Sequence, residues 1–268
     1  MGEDLAGVTS RPDLLHRLVA ESAQEMDERR QVTSLAEVER LASRYEPRDF
    51  AGVLRGTGVA VIAEVKQRTP SMGVLTTDYQ PGRLAASYER GGAAAISVLT
   101  HHAGFGGLVD HLDAVREATL LPILRKDFIT EPYQMVEARA HGADAVLLIV
   151  AALTPHSLAD LLNVAKDHGV GALVEVHDED EARVAVEAGA EVIGVNHRDL
   201  RTFDVDLTLT ERLRPLIPRD RVLVAESGIK GGADARRMRA AGADAILAGE
   251  VLMRATDPAA VIRELRDA

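Results

Sequence analysis

The chain has 268 residues, enough for one large α/β barrel of roughly 250 residues or for two small domains. A net charge of −11 without a Lys/Arg cluster argues against a nucleic-acid-binding face. The absence of cysteine excludes disulfides, thiolate zinc sites and cysteine nucleophiles.

Tryptophan is absent and aromatic residues are only 3% of the chain, so the core must be built from Ala, Val, Leu and Ile, which suits helices packed on a parallel sheet. The start of the chain lacks the apolar core of a signal peptide. The longest apolar run, residues 145–153, is too short to span a membrane. Ala6 stands where a myristoylation motif needs Ser or Thr. The expectation is a cytoplasmic monomer with no membrane and no nucleic-acid partner.

In chain order, residues 13–30 and 35–45 read as charged amphipathic helices. They belong to an extension, residues 1–60, that precedes the barrel and caps it; in a sharper reading the extension also covers the active site. No Pro/Ser-rich linker separates it, so one domain over 1–268 is expected, with the barrel at 61–268. Val61-Ile-Ala-Glu-Val-Lys66 reads as the first strand. A repeat then sets the rhythm: Gly92-Ala-Ala-Ala-Ile-Ser97, Gly142-Ala-Asp-Ala-Val-Leu147, Gly189-Ala-Glu-Val-Ile-Gly194 and Gly242-Ala-Asp-Ala-Ile-Leu247. Between them lie Pro122-Ile-Leu-Arg-Lys126, Ala172-Leu-Val-Glu-Val176 and Val222-Leu-Val-Ala-Glu226. Helical patterns fill intervals such as 131–141, 155–168, 178–188 and 231–241. Each repeat glycine fits the position after a helix, where left-handed backbone is needed. Eight strand–helix units with right-handed crossovers predict an α/β fold of the TIM-barrel type, (β/α)8, rather than an open doubly wound sheet.

Barrel enzymes carry their chemistry at the C-terminal ends of the strands. Side chains alternate along a strand, so Glu64 and Lys66, Lys126, Glu175, Asn196 and Glu226 fall on the interior face of five different strands. Unpaired charge there is costly; the alternatives are a mutually satisfied polar plug or a catalytic site. Only four lysines occur, Lys66, Lys126, Lys166 and Lys230, and two stand at strand ends. A lysine amine can have its pKa lowered toward neutrality, as a general acid or Schiff-base amine requires. Ser227-Gly228 and Gly249-Glu250 follow strands 7 and 8, where phosphate is commonly held. Adjacent His101 and His102 point to opposite faces and lack a third ligand, so no metal is expected.

Seven ordered blocks resemble the indole-3-glycerol-phosphate synthase family: Glu64-Val-Lys66-Gln-Arg-Thr-Pro-Ser71-Met-Gly73, Ile96-Ser-Val-Leu-Thr100, Leu124-Arg-Lys-Asp-Phe128, Leu173-Val-Glu-Val-His177, Gly194-Val-Asn-His-Arg-Asp-Leu200, Ala225-Glu-Ser-Gly-Ile229 and Gly249-Glu-Val-Leu-Met253. The resemblance implies a cofactor-free lyase of tryptophan or specialised indole biosynthesis. It closes the ring of a phosphorylated, anthranilate-derived substrate, with loss of carbon dioxide and water. It implies Lys126 as general acid, Glu175 as base or proton partner, Lys66 at the carboxylate, and Glu64 orienting the lysines. Asn196 and Glu226 would bond the sugar chain, and Arg198 would support the charges. Ser227, Gly228 and Gly249 would hold phosphate, and Phe128 and Leu147 would flank the ring; beside these, Glu250 is a phosphate candidate from its place after strand 8, and Phe105 a ring contact as the one large group in its loop.

The loop after strand 2, Thr100-His-His-Ala-Gly-Phe-Gly-Gly-Leu108, departs from the family's usual Lys-aromatic-Phe-Gln-Gly-Ser. Its three glycines predict a mobile loop. An altered-specificity or non-catalytic sugar-phosphate barrel is the alternative; phosphoribosylanthranilate isomerase is disfavoured, since that family uses a cysteine base.

Overall fold

The computed structural model describes residues 14–70, 72–199 and 202–268; Asp13, Ser71 and Leu200 of the sequence motifs lie outside them. Eight parallel strands close into a barrel: β1 (Ala60–Val65), β2 (Ala95–Leu99), β3 (Ile123–Lys126), β4 (Ala145–Ile149), β5 (Gly171–Val176), β6 (Val192–Asn196), β7 (Val222–Glu226) and β8 (Ala245–Ala248). Each strand pairs with its sequence neighbours, and β1 meets β8 with Ile62 opposite Leu247.

Strand alternation sorts the side chains as the sequence predicts. Val61, Ala63, Val146, Leu148, Val174, Ile193, Leu223 and Ile246 pack outward against the helices. Ile62, Leu124, Leu147, Leu173, Val192, Val224 and Leu247 fill the interior. Above that apolar filling stand Glu64, Glu175, Asn196 and Glu226, all buried.

The repeat glycines do what their spacing implies. Gly92, Gly142, Gly189 and Gly242 have φ of 87°, 82°, 84° and 89°. In each case the following alanine N–H reaches back to the carbonyl five residues earlier, as Ala143 does to Ala138 at 2.9 Å, which closes the helix end. A further junction of this kind, at Gly169 (φ 64°), ends in Val170 rather than alanine and so falls outside the sequence repeat. The aspartate of the repeat has its own use. Asp144 accepts the N–H of Ile123 at 2.9 Å, and Asp244 that of Leu223 at 2.8 Å, so each carboxylate satisfies a donor at the start of the strand before it.

The extension serves both ends of the barrel. Phe50 and Leu54, buried, join the interior cluster. Helix α1 (Leu14–Val32) buries Leu15, Leu18, Ser22 and Met26 at helical spacing. Leu15 and Leu18 join the same interior cluster, while Met26 packs with Val38 of α2 (Leu35–Ala42) on Tyr133 and Val136. That cover explains why the helix Pro132–Ala140 is buried along nearly its whole length rather than on one face.

A buried polar network ties α1 to β3. Arg125, pointing away from the barrel axis, bonds Asp127 (2.9 Å), Glu137 (2.8 Å) and the Gln134 carbonyl (2.9 Å). From α1, Arg29 bonds Glu137 at 2.6 Å and Ser22 bonds Asp127 at 3.1 Å. Such a network stabilises only while fully satisfied.

Two of the repeat glycines differ in their surroundings. Gly189 has open space around a would-be Cβ, whereas at Gly142 the added atom would stand 2.8 Å from Arg116 Cγ. Gly189→Ala should cost about 1–2 kcal/mol, the left-handed penalty alone, and Gly142→Ala more, because Arg116 also pairs with Asp144. Urea unfolding of the two variants measures the difference; equal costs would refute it.

Candidate active site

At the C-terminal end of the strands lies a cavity of about 920 Å³. Its wall brings together every candidate named from the sequence: Glu64, Lys66, Phe105, Lys126, Phe128, Leu147, Glu175, Asn196, Arg198, Glu226, Ser227, Gly228, Gly249 and Glu250. Leu14 and Leu18 of α1 complete it, together with Leu99, Ile149, Phe203 and Leu247. These apolar positions went unmarked in the sequence, since nothing distinguishes a wall leucine from a core leucine.

The charged groups form one cluster. Lys126 Nζ lies 3.1 Å from Glu175 Oε2 and 3.3 Å from Glu226 Oε2. Lys66 Nζ bonds Glu64 Oε1 at 2.5 Å. Asn196 Nδ2 donates to Glu175 Oε1 at 3.1 Å, and the Arg198 N–H donates to Asn196 Oδ1 at 3.1 Å, which fixes the amide's orientation. His177, absent from the candidate set, sits with Nε2 3.3 Å from Glu175 Oε1 and Nδ1 3.1 Å from Glu181. Two glycines make the cluster possible. A Cβ at Gly194 would stand 2.0 Å from Glu226 Oε1, and one at Gly249 would stand 2.4 Å from Glu64 Oε1.

Burial and pairing then compete. Burial would raise the Glu175 carboxyl, but Lys126 and His177 outweigh it and hold Glu175 below the usual carboxylate range. Glu226 is pushed up to about 8, by burial first and also by Glu175 and Glu64, against Lys126. The proton of this coupled pair therefore resides on Glu226. Burial would lower His177, but Glu175 and Glu181 hold it up to about 10, so it is an imidazolium at neutral pH. For Lys126 the expectation of a lowered pKa fails. Burial does disfavour its charge, yet Glu175, Glu226 and Glu64 together raise it above the ordinary lysine value.

The phosphate candidates are positioned by backbone. Ser227 and Gly228 both adopt left-handed φ, 65° and 78°. His197, which burial keeps below the usual histidine range, donates from Nδ1 to the Ser227 carbonyl at 3.0 Å and accepts at Nε2 from Thr210 at 2.7 Å. Strain at a non-glycine residue held this way is characteristic of functional loops. The Glu250 side chain turns to Arg254 (3.3 Å), so toward an anion Glu250 has only its N–H to offer. Arg198 Nη1 donates to the Phe203 carbonyl at 3.2 Å and so closes its own loop.

The loop after β2 is not the loose segment its glycines suggested. Residues His102–Phe105 form a helical turn whose N-cap is the His101 ring, accepting the Gly104 N–H at 3.0 Å. A Cβ at Gly107 would meet the Leu99 carbonyl at 2.3 Å. Here glycine answers to close packing, not to freedom. His101 is buried, with its ring capping the turn, and His102 is exposed. Among the described residues, one group could hold a metal ion, Asp110, Asp113 and His141, and none of the three lines the cavity.

A family model described as indole-3-glycerol phosphate synthase matches residues 15–265. The chain belongs to the indole-3-glycerol phosphate synthase family. It is 56% identical to indole-3-glycerol phosphate synthase 2 of Streptomyces coelicolor, over 94% of this chain and 98% of that one. It is 47% identical to the indole-3-glycerol phosphate synthase of Dehalococcoides mccartyi, over 94% and 99%. Among solved structures it resembles thiamine phosphate pyrophosphorylase from Pyrococcus furiosus, with a TM-score of 0.62 over 82% of this chain and 96% of that one. At 19% identity that likeness shows the barrel alone.

The Glu226 environment is testable in the free protein. Its carboxyl is raised from about 4.5 to about 8, so the stability it contributes is full below pH 4.5 and is lost as pH rises through 8. Glu226→Gln removes that loss. The stability of the variant relative to the parent should increase from pH 4.5 to 8, as measured by denaturant unfolding along a pH series; a pH-independent difference would contradict the assignment.

Proposed function

We propose that this chain carries out its family's carboxy-lyase reaction at the charged cluster of the barrel mouth. In that reaction 1-(2-carboxyphenylamino)-1-deoxyribulose 5-phosphate becomes indole-3-glycerol phosphate, carbon dioxide and water. The observation that carries the reading is Lys126, an ammonium buried between Glu175 and Glu226 within reach of the cavity.

Ring closure turns the substrate's ketone oxygen into an alkoxide. An alkoxide is more basic than any amine, so an ammonium whose pKa the carboxylates have raised still gives up its proton downhill. It also stabilises the developing charge as a preorganised donor. Lys126 is the general acid in this reading. Glu175, kept ionised, is the base for the later loss of water, and Asn196 holds its second oxygen. Lys66, anchored by Glu64, meets the substrate carboxylate, whose departure as carbon dioxide is easier once it is stripped of water. Glu226, holding its proton at neutral pH, donates to a hydroxyl of the sugar chain.

Phosphate goes to the Ser227–Gly228 and Gly249–Glu250 backbone, and Arg198 steadies the loop between them and Asn196. That anchor immobilises a flexible chain and so lowers the entropic barrier to ring closure. Phe128 and Leu147 belong to the interior apolar cluster with Phe105 packed against it, a surface suited to the anthranilate ring.

Mixing the protein with the substrate should change the ultraviolet absorbance as the indole chromophore forms. Lys126→Ala should lower kcat by about 10²–10⁴-fold while product affinity stays near the parent value. A variant with near-parental turnover would show that Lys126 is not the acid.

A further inference from the structure

The turn that carries Phe105 is gripped from two sides by residues that do not themselves line the cavity. Glu25, on α1, accepts the backbone N–H groups of His102 (3.2 Å) and Ala103 (3.1 Å). Arg68, in the short hairpin after β1, donates through Nη2 to the carbonyls of the same two residues, at 3.0 Å to His102. One side chain thus takes both donors of this dipeptide and the other takes both acceptors. Leu18 of α1 and the His101 ring press on Gly104, and the ring also stands edge-on to Phe128, with centroids 5.2 Å apart. Phe105 ends the turn with its ring centroid 6.4 Å from that of Phe128.

A four-residue helical turn is too short to hold itself in water. Its first N–H groups have no partner within the turn; a carboxylate on them is a charge-assisted cap. The turn therefore depends on α1 and on the β1 hairpin, the segment that also carries Lys66, Thr69 and Met72 into the cavity wall.

We propose that Glu25 and Arg68 are positioning residues that fix Phe105 as the wall of the aromatic end of the cavity, so that the 101–107 turn selects which anthranilate ring is accepted. This rests on the reaction assigned above. It makes the glycine-rich loop a rigid selector and joins three segments distant in sequence into one structure around the ring.

The chain has no tryptophan, so Phe105→Trp supplies a single fluorescent reporter at the position in question. In that background Glu25→Ala and Arg68→Met should each shift the emission to the red and make it more accessible to acrylamide. Glu25→Gln, which keeps one accepting oxygen, should restore most of the parent spectrum. In the Phe105 parent, Glu25→Ala should raise KM about tenfold with kcat within about twofold, and discrimination against a ring-methylated substrate should fall. With Phe105→Ala already in place the KM effect of Glu25→Ala should vanish, because the two residues act through one another. Unchanged emission in Glu25→Ala, or KM effects that simply multiply in the double variant, would overturn the proposal. A parent protein that fails to turn over the substrate would instead overturn the reaction assignment, and the tryptophan spectra would still decide whether the clamp holds Phe105.

Discussion

Three carboxylates and two ammonium groups share the mouth of the barrel, and much of the surrounding structure follows from keeping them there. A barrel interior is ordinarily filled by branched apolar side chains, and burying ionisable groups in it is expensive unless each is paired or neutralised. Pairing is supplied locally by Lys126 between Glu175 and Glu226, and by Lys66 on Glu64. Space is supplied by omission: Gly194 and Gly249 carry no side chain because carboxylate oxygens occupy the volume a Cβ would need. The remaining cost falls on Glu226, whose Oε1 finds no hydrogen-bond partner among the described residues and which retains a proton instead.

A mouth that is polar and open needs stability from elsewhere, and the extension contributes it. Phe50 and Leu54 fill the opposite end of the barrel, away from the charges. At that end Asp144 and Asp244 tie the strand starts together. Helix α1 faces both ways. Its apolar stripe closes the cavity, and its Ser22 and Arg29 complete the Arg125 network behind β3. The strand that presents Lys126 inward presents Arg125 outward, so that lysine is held in register by a residue on the strand's other face. Loss of α1 would leave Glu137 and Asp127 short of partners as well as opening the site.

Periodicity explains what the sequence disclosed. The strand faces follow from alternation alone, which is why Glu64, Lys126, Glu175, Asn196 and Glu226 could be grouped before any contact was known. The glycine repeat was legible because the left-handed junction needs the same residue each time; the Gly169 junction escaped because its next residue is valine. Three things were not legible. Glycines 104, 106 and 107 suggest freedom in sequence, yet a Cβ at Gly104 or Gly107 would meet Leu18 or the Leu99 carbonyl, and Gly106 closes the turn in left-handed backbone (φ 68°). His177 carries no mark of its own in the sequence, because its distance to Glu175 depends on how β5 turns into the next helix. The direction of the Lys126 shift depends on three carboxylates from three strands, and no local pattern can count them.

The same count resolves an apparent conflict between the protein and its substrate. The chain as a whole carries −11, yet the proposed ligand bears a phosphate and a carboxylate. Long-range charge is largely screened within about 10 Å of solution at ordinary ionic strength, so the field inside the cavity decides. With the proton on Glu226, the cluster sets Lys66, Lys126 and His177 against Glu64, Glu175 and Glu181, three positive groups against three negative. Ionising Glu226 would tip that balance negative and oppose an anion. The carboxyl that burial raises most thus does more than tolerate its position. By staying neutral it keeps the cluster from turning negative, so that a doubly anionic substrate entering an acidic protein would meet the ammonium groups of Lys66 and Lys126 without net repulsion.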